Sequence, residues 1–160
     1  MIAAMNRESF EQFWPAFKDI ILQQETYAFD AEMTCEESYQ LWCASPIRSY
    51  GWFEENVVLG TYYLKANAMG PSNHICNCGY MVKPDAGGQG IARKLCEHSQ
   101  LIARQLGFEA MQFNSVVSTN ERAIRLWKTL GFDIIGTIPK AYRHPRLGYV
   151  DSFIMHKLLG

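Results

Sequence analysis

The densest chemistry-bearing segment is Gly87-Gly88-Gln89-Gly90, which follows Pro84 and precedes the helical run Ile91-Ala92-Arg93-Lys94-Leu95. Three glycines in four positions let a main chain approach a ligand with no Cβ in the way. A glycine loop that opens a helix turns several amide N–H groups toward one point, and the helix dipole favours negative charge there. Arg93 and Lys94, in the first turn, add positive charge. The chemistry suited to this spacing is the grip on a diphosphate. Two familiar nucleotide sites match poorly. A P-loop needs Lys-Ser or Lys-Thr at its end, and Gly90 is followed by Ile91-Ala92. A dinucleotide site needs glycines after the first strand of a βαβ unit and an acid about 20 residues on. Here three strand-like runs precede the loop, and Glu109 falls at the entry to the next strand.

Asparagines form a second set. Asn77 lies in the strand before the loop, Asn114 in the strand after the following helix, and Asn120 at the start of the next helix. Asn cannot take a proton at neutral pH, but it can orient an amine, an acyl oxygen or a water. Cys76-Asn77-Cys78 departs from the C-x₂₋₄-C spacing of zinc sites, and no second ligand pair follows, so no metal is expected. His74 and His144 read as strand-end and loop residues rather than bases, and Arg143 as a solvated loop residue.

The elements that must hold these residues are legible in outline. Phe10, Phe13, Trp14, Phe17 and Ile21 fall at helical spacing, which predicts a helix over Glu8–Gln23. Thr34-Cys-Glu-Glu37 has the form of a capping box and predicts a short helix to about Ala44. The aromatic loop between them holds Tyr27 and Phe29. Tyr50–Phe53 and Val57–Lys65 read as a hairpin, and His74–Val82 as a strand ended by Pro84. A helix to about Leu106 is stopped by Gly107, and a strand over Ala110–Val116 precedes a helix over Glu121–Leu130, capped by Asn120. Asp133–Ile138 and Tyr149–Leu158 are two final strands, joined by a loop containing Pro139, Arg143, His144 and Pro145. The expectation is one α/β domain over residues 1–160.

Composition narrows the function class. Of 160 residues, 48% are hydrophobic and 19% charged, so a packed core is expected. With 15 basic and 16 acidic residues and no basic block, neither a nucleic-acid nor an anionic-membrane surface is expected. No apolar run approaches the roughly 20 residues of a membrane span. The odd number of cysteines, five, with no signal-peptide pattern at Met1–Glu11, predicts a reducing, cytoplasmic setting.

Taken together, Gly87-Gly88-Gln89-Gly90-Ile91-Ala92, Val82-Lys-Pro84 before it, and Asn120-Glu-Arg-Ala123-Ile-Arg-Leu-Trp127-Lys-Thr-Leu-Gly131-Phe132 after it resemble the GCN5-related N-acetyltransferase (GNAT) family. The resemblance covers nearly the whole chain. It implies a twisted, mostly antiparallel sheet with one splayed parallel strand pair and helices on both faces. It also implies acetyl-CoA as co-substrate, held by Met81, Val82, Gly87, Gly88, Gln89, Gly90, Ile91, Ala92, Asn120, Ala123 and Trp127. Two positions depart from the family pattern. Gly87 stands where the motif has Arg or Gln, and Trp127 where many members carry a Tyr that protonates the leaving thiolate.

Asn77-Cys-Gly79 and Phe113-Asn114 followed by Asn120 are further similar to fungal N-acetyltransferases acting on L-azetidine-2-carboxylate and other proline analogues. That likeness implies a small amine acceptor, an amino acid or its analogue, contacted by Asn77 and Asn114 and walled by Tyr27 and Phe29. Asn77 is then the expected catalytic residue, with a backbone N–H near Met81 stabilising the oxyanion. Many members dimerise, so a homodimer is compatible. Two other functions remain open: acetylation of a protein or peptide amine, and acyl-CoA sensing without turnover.

Overall fold

In the strand Val57–Ala66 (β3), Tyr62 and Leu64 point to one face of the sheet and Tyr63 to the other, and all three are buried. Period-two alternation with apolar residues on both sides demands cover on both. The structure, a computed structural model of residues 1–160, supplies it. On the Tyr63 face lie helix Arg7–Gln23 (α1) and helix Cys35–Tyr39 (α2), the latter continued by a π-helical turn over Gln40–Ala44. They contribute Phe10, Phe13, Phe17, Ile21 and Trp42. On the Tyr62 face lie helix Ile91–Gln105 (α3) and helix Glu121–Thr129 (α4), with Ile91, Leu95, Cys96, Ile124 and Trp127.

The remaining strands are Ile2–Ala4 (β1), Arg48–Glu54 (β2), Ile75–Val82 (β4), Ala110–Val117 (β5), Asp133–His144 (β6) and Gly148–Leu158 (β7). The sheet runs β1-β2-β3-β4-β5-β7-β6. Only β4 and β5 are parallel. This is the mixed sheet with one parallel pair that the family resemblance implies.

One irregularity prepares the site. Trp52 pairs with Gly60 but Phe53 with Val58, so Leu59 is an extra residue on β3. The slip puts Val58 with the α1 core and Leu59 against the α3 core. A Cβ on Gly60 would lie 2.9 Å from Ile91 Cγ2. The bare backbone there lets the start of α3 sit directly on the sheet.

Most predicted elements hold to within two residues. Asn6, with Ser9, forms a capping box that starts α1 one residue early, and Thr34 with Glu37 forms the box predicted for α2. Three features differ. The three-residue strand β1 is too short to carry a period. The turn Gln40–Ala44 is π-helical rather than α. The last hairpin is much longer than predicted, so Pro139, Arg143 and His144 lie in strand β6 and not in a loop. Pro139 sits where the register slips between Ile138 and Tyr142, so its missing N–H costs no ladder bond. Lys140, at φ 50°, donates its N–H to Asp151 Oδ1 at 3.0 Å. His144 Nδ1 then accepts the N–H groups of Arg146 and Leu147, both at 3.2 Å, and closes a tight turn.

Candidate active site

Strands β4 and β5 pair at only three positions, Ile75 with Ala110, Cys76 with Met111 and Asn77 with Gln112, and then part. Peptide groups of alternate residues face opposite edges of a strand. Ile75 C=O and Lys83 N–H bond toward β3, while His74 C=O bonds to Glu109 on the β5 side. Odd-numbered residues of β4 therefore face β3, and even-numbered ones face β5. Past Asn77 the main-chain groups of Cys78, Tyr80 and Val82 meet a gap instead of a strand. Met81, paired with Thr61, faces β3. Of the backbone N–H groups near Met81, those of Tyr80 and Val82 face the gap.

A cavity of about 850 Å³ runs through this gap and is lined by residues from both faces of the sheet. On the α3 side it is lined by Gly87, Gly88, Gly90, Ile91 and Ala92. Gly88 and Gly90 have φ of 81° and 75°, a region that a Cβ disfavours. Gly90 is the N-cap of α3 and supplies no side chain, so the first amides of the helix are uncapped. Arg122, from the start of α4, hangs over this loop: its guanidinium nitrogens lie 3.7 and 3.9 Å from where Cβ atoms on Gly87 and Gly88 would be. Asn120 caps α4 by accepting from Ala123 N–H at 3.4 Å, and Asn120, Ala123 and Trp127 all line the cavity. Trp127 packs on Tyr80 and Phe113, with ring centroids 5.0 and 5.2 Å away. Met81 and Val82 also line it. Gln89 is exposed and its side chain is outside the lining. Lys94 turns away, its Nζ 4.6 Å from the Trp52 ring centroid, so Arg93 and Arg122 supply the charge here.

On the α1 side the wall is aromatic. Tyr27 and Phe29 stack at 5.1 Å, and both pack against Trp42. Asn77, 5% exposed, accepts from the Tyr63 hydroxyl at 2.8 Å and donates to Gln112 C=O at 2.9 Å, tying the two strands where they part. Asn114 is exposed, accepts from Gln112 and donates to Asn67 Oδ1 at 2.7 Å. The structure therefore brings Tyr27, Phe29, Asn77 and Asn114 to one cavity.

The charge pattern of the cavity is one-sided. Lys65, Lys83, Arg93 and Arg122 line it, with no Asp, Glu or His. His74 is exposed in a turn, His144 is spent on its own turn, and Arg143 lies near the Tyr149 ring; none reaches the cavity. Burial pushes the phenols of Tyr27 and Tyr63 up, so both stay protonated and act as hydrogen-bond partners rather than bases. Cys76 and Cys78 point into the α3-side core, all five cysteines are unpaired, and no group of three or more His, Cys, Asp or Glu is placed to hold a metal. No helix is long and apolar enough to cross a membrane.

Sequence reasoning missed Lys65 and Arg122. Lys65 stands opposite Asn77 in the β3–β4 register, which only the hairpin pairing reveals. Arg122 follows the Asn120 cap by two residues and was legible as a cation at a helix start, the end that ordinarily disfavours one.

Comparison with known proteins agrees with this geometry. The model of the "Acetyltransferase (GNAT) family" matches residues 10–132. N-acetyltransferase aca1 of Schizosaccharomyces pombe is 41% identical over 98 residues, 61% of this chain and 47% of that protein, so the chain spans about half the length of this curated relative. A GCN5-related N-acetyltransferase from Kribbella flavida superposes with TM-score 0.94 at 36% identity, covering 99% of this chain and 96% of that one. A phosphinothricin acetyltransferase from Sinorhizobium meliloti, solved in complex with AcCoA, shares the fold with TM-score 0.88 at 17% identity, over 100% of this chain and 88% of its own. A chain whose sheet parts beside an uncapped, glycine-opened helix, and which matches over most of its length, belongs to the acetyltransferase (GNAT) family.

Proposed function

We propose that this chain transfers the acetyl group of acetyl-CoA to the amine of a small molecule, an amino acid or amino-acid analogue, within a ternary complex. The observation that carries this is the single cavity joining a phosphate-type seat on one face of the sheet to an aromatic pocket on the other, through the gap past Asn77. The residues fit the co-substrate. Bare glycine backbone, uncapped helix amides and Arg122 suit a diphosphate, and the exposed edge of β4 suits an amide-bearing arm. When bound, acetyl-CoA supplies a thioester carbon open to attack by an amine.

The chain does the rest by placement. Tyr80 N–H faces the gap and suits the acyl oxygen, where a fixed donor matters most as charge develops. Asn77 keeps one lone pair and one N–H beyond its two internal bonds, enough to orient an incoming amine or a water. With no acid or His in the cavity, the amine must arrive neutral or lose its proton through water. As the C–N bond forms and the C–S bond breaks, the proton shed by the amine nitrogen passes through water to the departing sulfur, so CoA leaves as the thiol with no net proton released. Holding both partners in one cavity is then the main source of rate.

The charge pattern supports the choice of acceptor. Lys65 stands across from Asn77 and attracts an anionic group carried beside the reacting amine, while four cations and no acid repel polyamines. The stacked Tyr27 and Phe29 give the acceptor side an aromatic wall that suits a small molecule better than an extended peptide. The test is CoA-thiol release with a panel of free amino acids, their amides, short peptides and polyamines. Turnover is expected with free amino acids and not with polyamines. Thiol release only with peptides contradicts the acceptor assignment, and acetyl-CoA binding without any turnover reduces the chain to a sensor.

A further inference from the structure

The Tyr27 hydroxyl sits in the gap between the parted strands. It donates to Tyr80 C=O and accepts from Tyr80 N–H, both at 2.6 Å. One phenol thus satisfies the main-chain pair that β5 would have bonded had the strands stayed together. The contact is built. Gly79 provides the room, since a Cβ there would lie 3.2 Å from the Tyr27 oxygen and 2.4 Å from the Tyr63 ring. The loop is latched from the far side as well: the Tyr142 hydroxyl donates to Tyr27 C=O at 2.9 Å, and Arg146 pairs with Glu25 at 2.6 Å. Both latches come from the long β6–β7 hairpin.

We infer that Tyr27 is the resting occupant of the acyl-oxygen seat on Tyr80, and that an acyl-CoA must displace its hydroxyl to be bound productively. The inference rests on the acetyltransferase assignment above. One N–H cannot serve a phenol and a thioester oxygen at full strength together. Until the acyl group arrives, a buried N–H and C=O would otherwise stand unpaired, and the phenol removes that cost. Tyr27 also stacks on Phe29 in the acceptor wall, so its movement reshapes the amine pocket. Acyl donor before amine is the binding order this coupling favours.

The test compares acetyl-CoA with free CoA, which lacks the acyl oxygen, by titration calorimetry on the wild type and on Tyr27→Phe. The expected result is a gain of about fivefold or more in acetyl-CoA affinity for Tyr27→Phe, with CoA affinity changed less than about twofold. Equal changes for both ligands, or weaker acetyl-CoA binding, overturn the inference. Should Tyr27→Phe fail to fold, 3-fluorotyrosine placed at position 27 keeps the question open to measurement. Its fluorine resonance should shift with acetyl-CoA but not with CoA, and an equal response to both counts against displacement. If the wild type binds neither ligand, the acetyl-CoA assignment itself has failed, a different outcome from loss of acyl selectivity.

Discussion

Asn77 has two of its four hydrogen-bonding sites fixed by Tyr63 and Gln112, which leaves two for a ligand and almost no freedom of orientation. Replacing it by Ala should lower kcat strongly while leaving acetyl-CoA affinity within about twofold, since the proposed diphosphate seat lies across the sheet. Stability should fall by about 1–3 kcal/mol, because the Tyr63 hydroxyl and Gln112 carbonyl lose their partners. Steady-state kinetics with calorimetry separates the two effects. A second outcome follows from the missing base. Below the pKa of the acceptor amine, kcat/KM should climb about tenfold per pH unit, following the neutral amine alone. A plateau reached near pH 6–7 would reveal an enzymic base that the cavity does not contain. Asn77 and Asn114 were singled out by their likeness to the proline-analogue acetyltransferases, and the structure places both on the cavity. Lys65 was not, since a single charge outside a motif has no period and acquires meaning only through register, and Arg122 was passed over although its place at a helix start could be read.

The start of α3 carries the cofactor half of the account. Gly60 lets it approach the sheet, Gly90 ends its loop at φ 75°, and Arg122 reaches over from α4. Gly90→Val forces a β-branched residue into left-handed backbone at a cost of about 1–2 kcal/mol and points a side chain at the diphosphate seat. Acetyl-CoA affinity should drop well beyond tenfold in titration calorimetry. Arg122→Ala should weaken it about tenfold at low ionic strength and by less at high salt, the signature of a partly exposed charge pair. Affinity insensitive to Arg122 would move the diphosphate elsewhere. At this scale the sequence was most readable where physics leaves strong marks: capping boxes, helical apolar stripes and glycine stops. β1 was lost because three residues carry no pattern. The end of β6 was lost because Pro139 usually marks a break, whereas here it occupies a bulge.

Across the whole molecule, two aromatic cores grip opposite faces of one sheet, and the cavity crosses that sheet where its parallel strands part. Burial pushes the phenols of Tyr27, Tyr62, Tyr63 and Tyr80 above their ordinary 10.0, and the thiols of Cys78 and Cys96 above 9.0. The unfolded chain therefore ionises first as pH rises, so the stability these neutral groups contribute is complete below about pH 9 and lost above it. Each such group weakens folding by about 1.4 kcal/mol per pH unit between its unfolded and folded pKa. Urea midpoints should hold between pH 7 and 8.5 and fall steeply past pH 10; a flat profile to pH 11 would show these groups to be hydrated. The order of helices and strands was readable from the sequence because alternation and helical period survive without neighbours, and their layering came with the family resemblance. Lys65 beside Asn77, and the Tyr27 phenol between the parted strands, take their places only when distant segments meet.

The most direct measurement is a crystal structure of the chain with acetyl-CoA. The account predicts the diphosphate on the amides of residues 87–92 beneath Arg122, the acyl oxygen on Tyr80 N–H, and the Tyr27 hydroxyl moved off that N–H. A ligand seated elsewhere, with Tyr27 still bridging Tyr80 and the helix end bare, would contradict it.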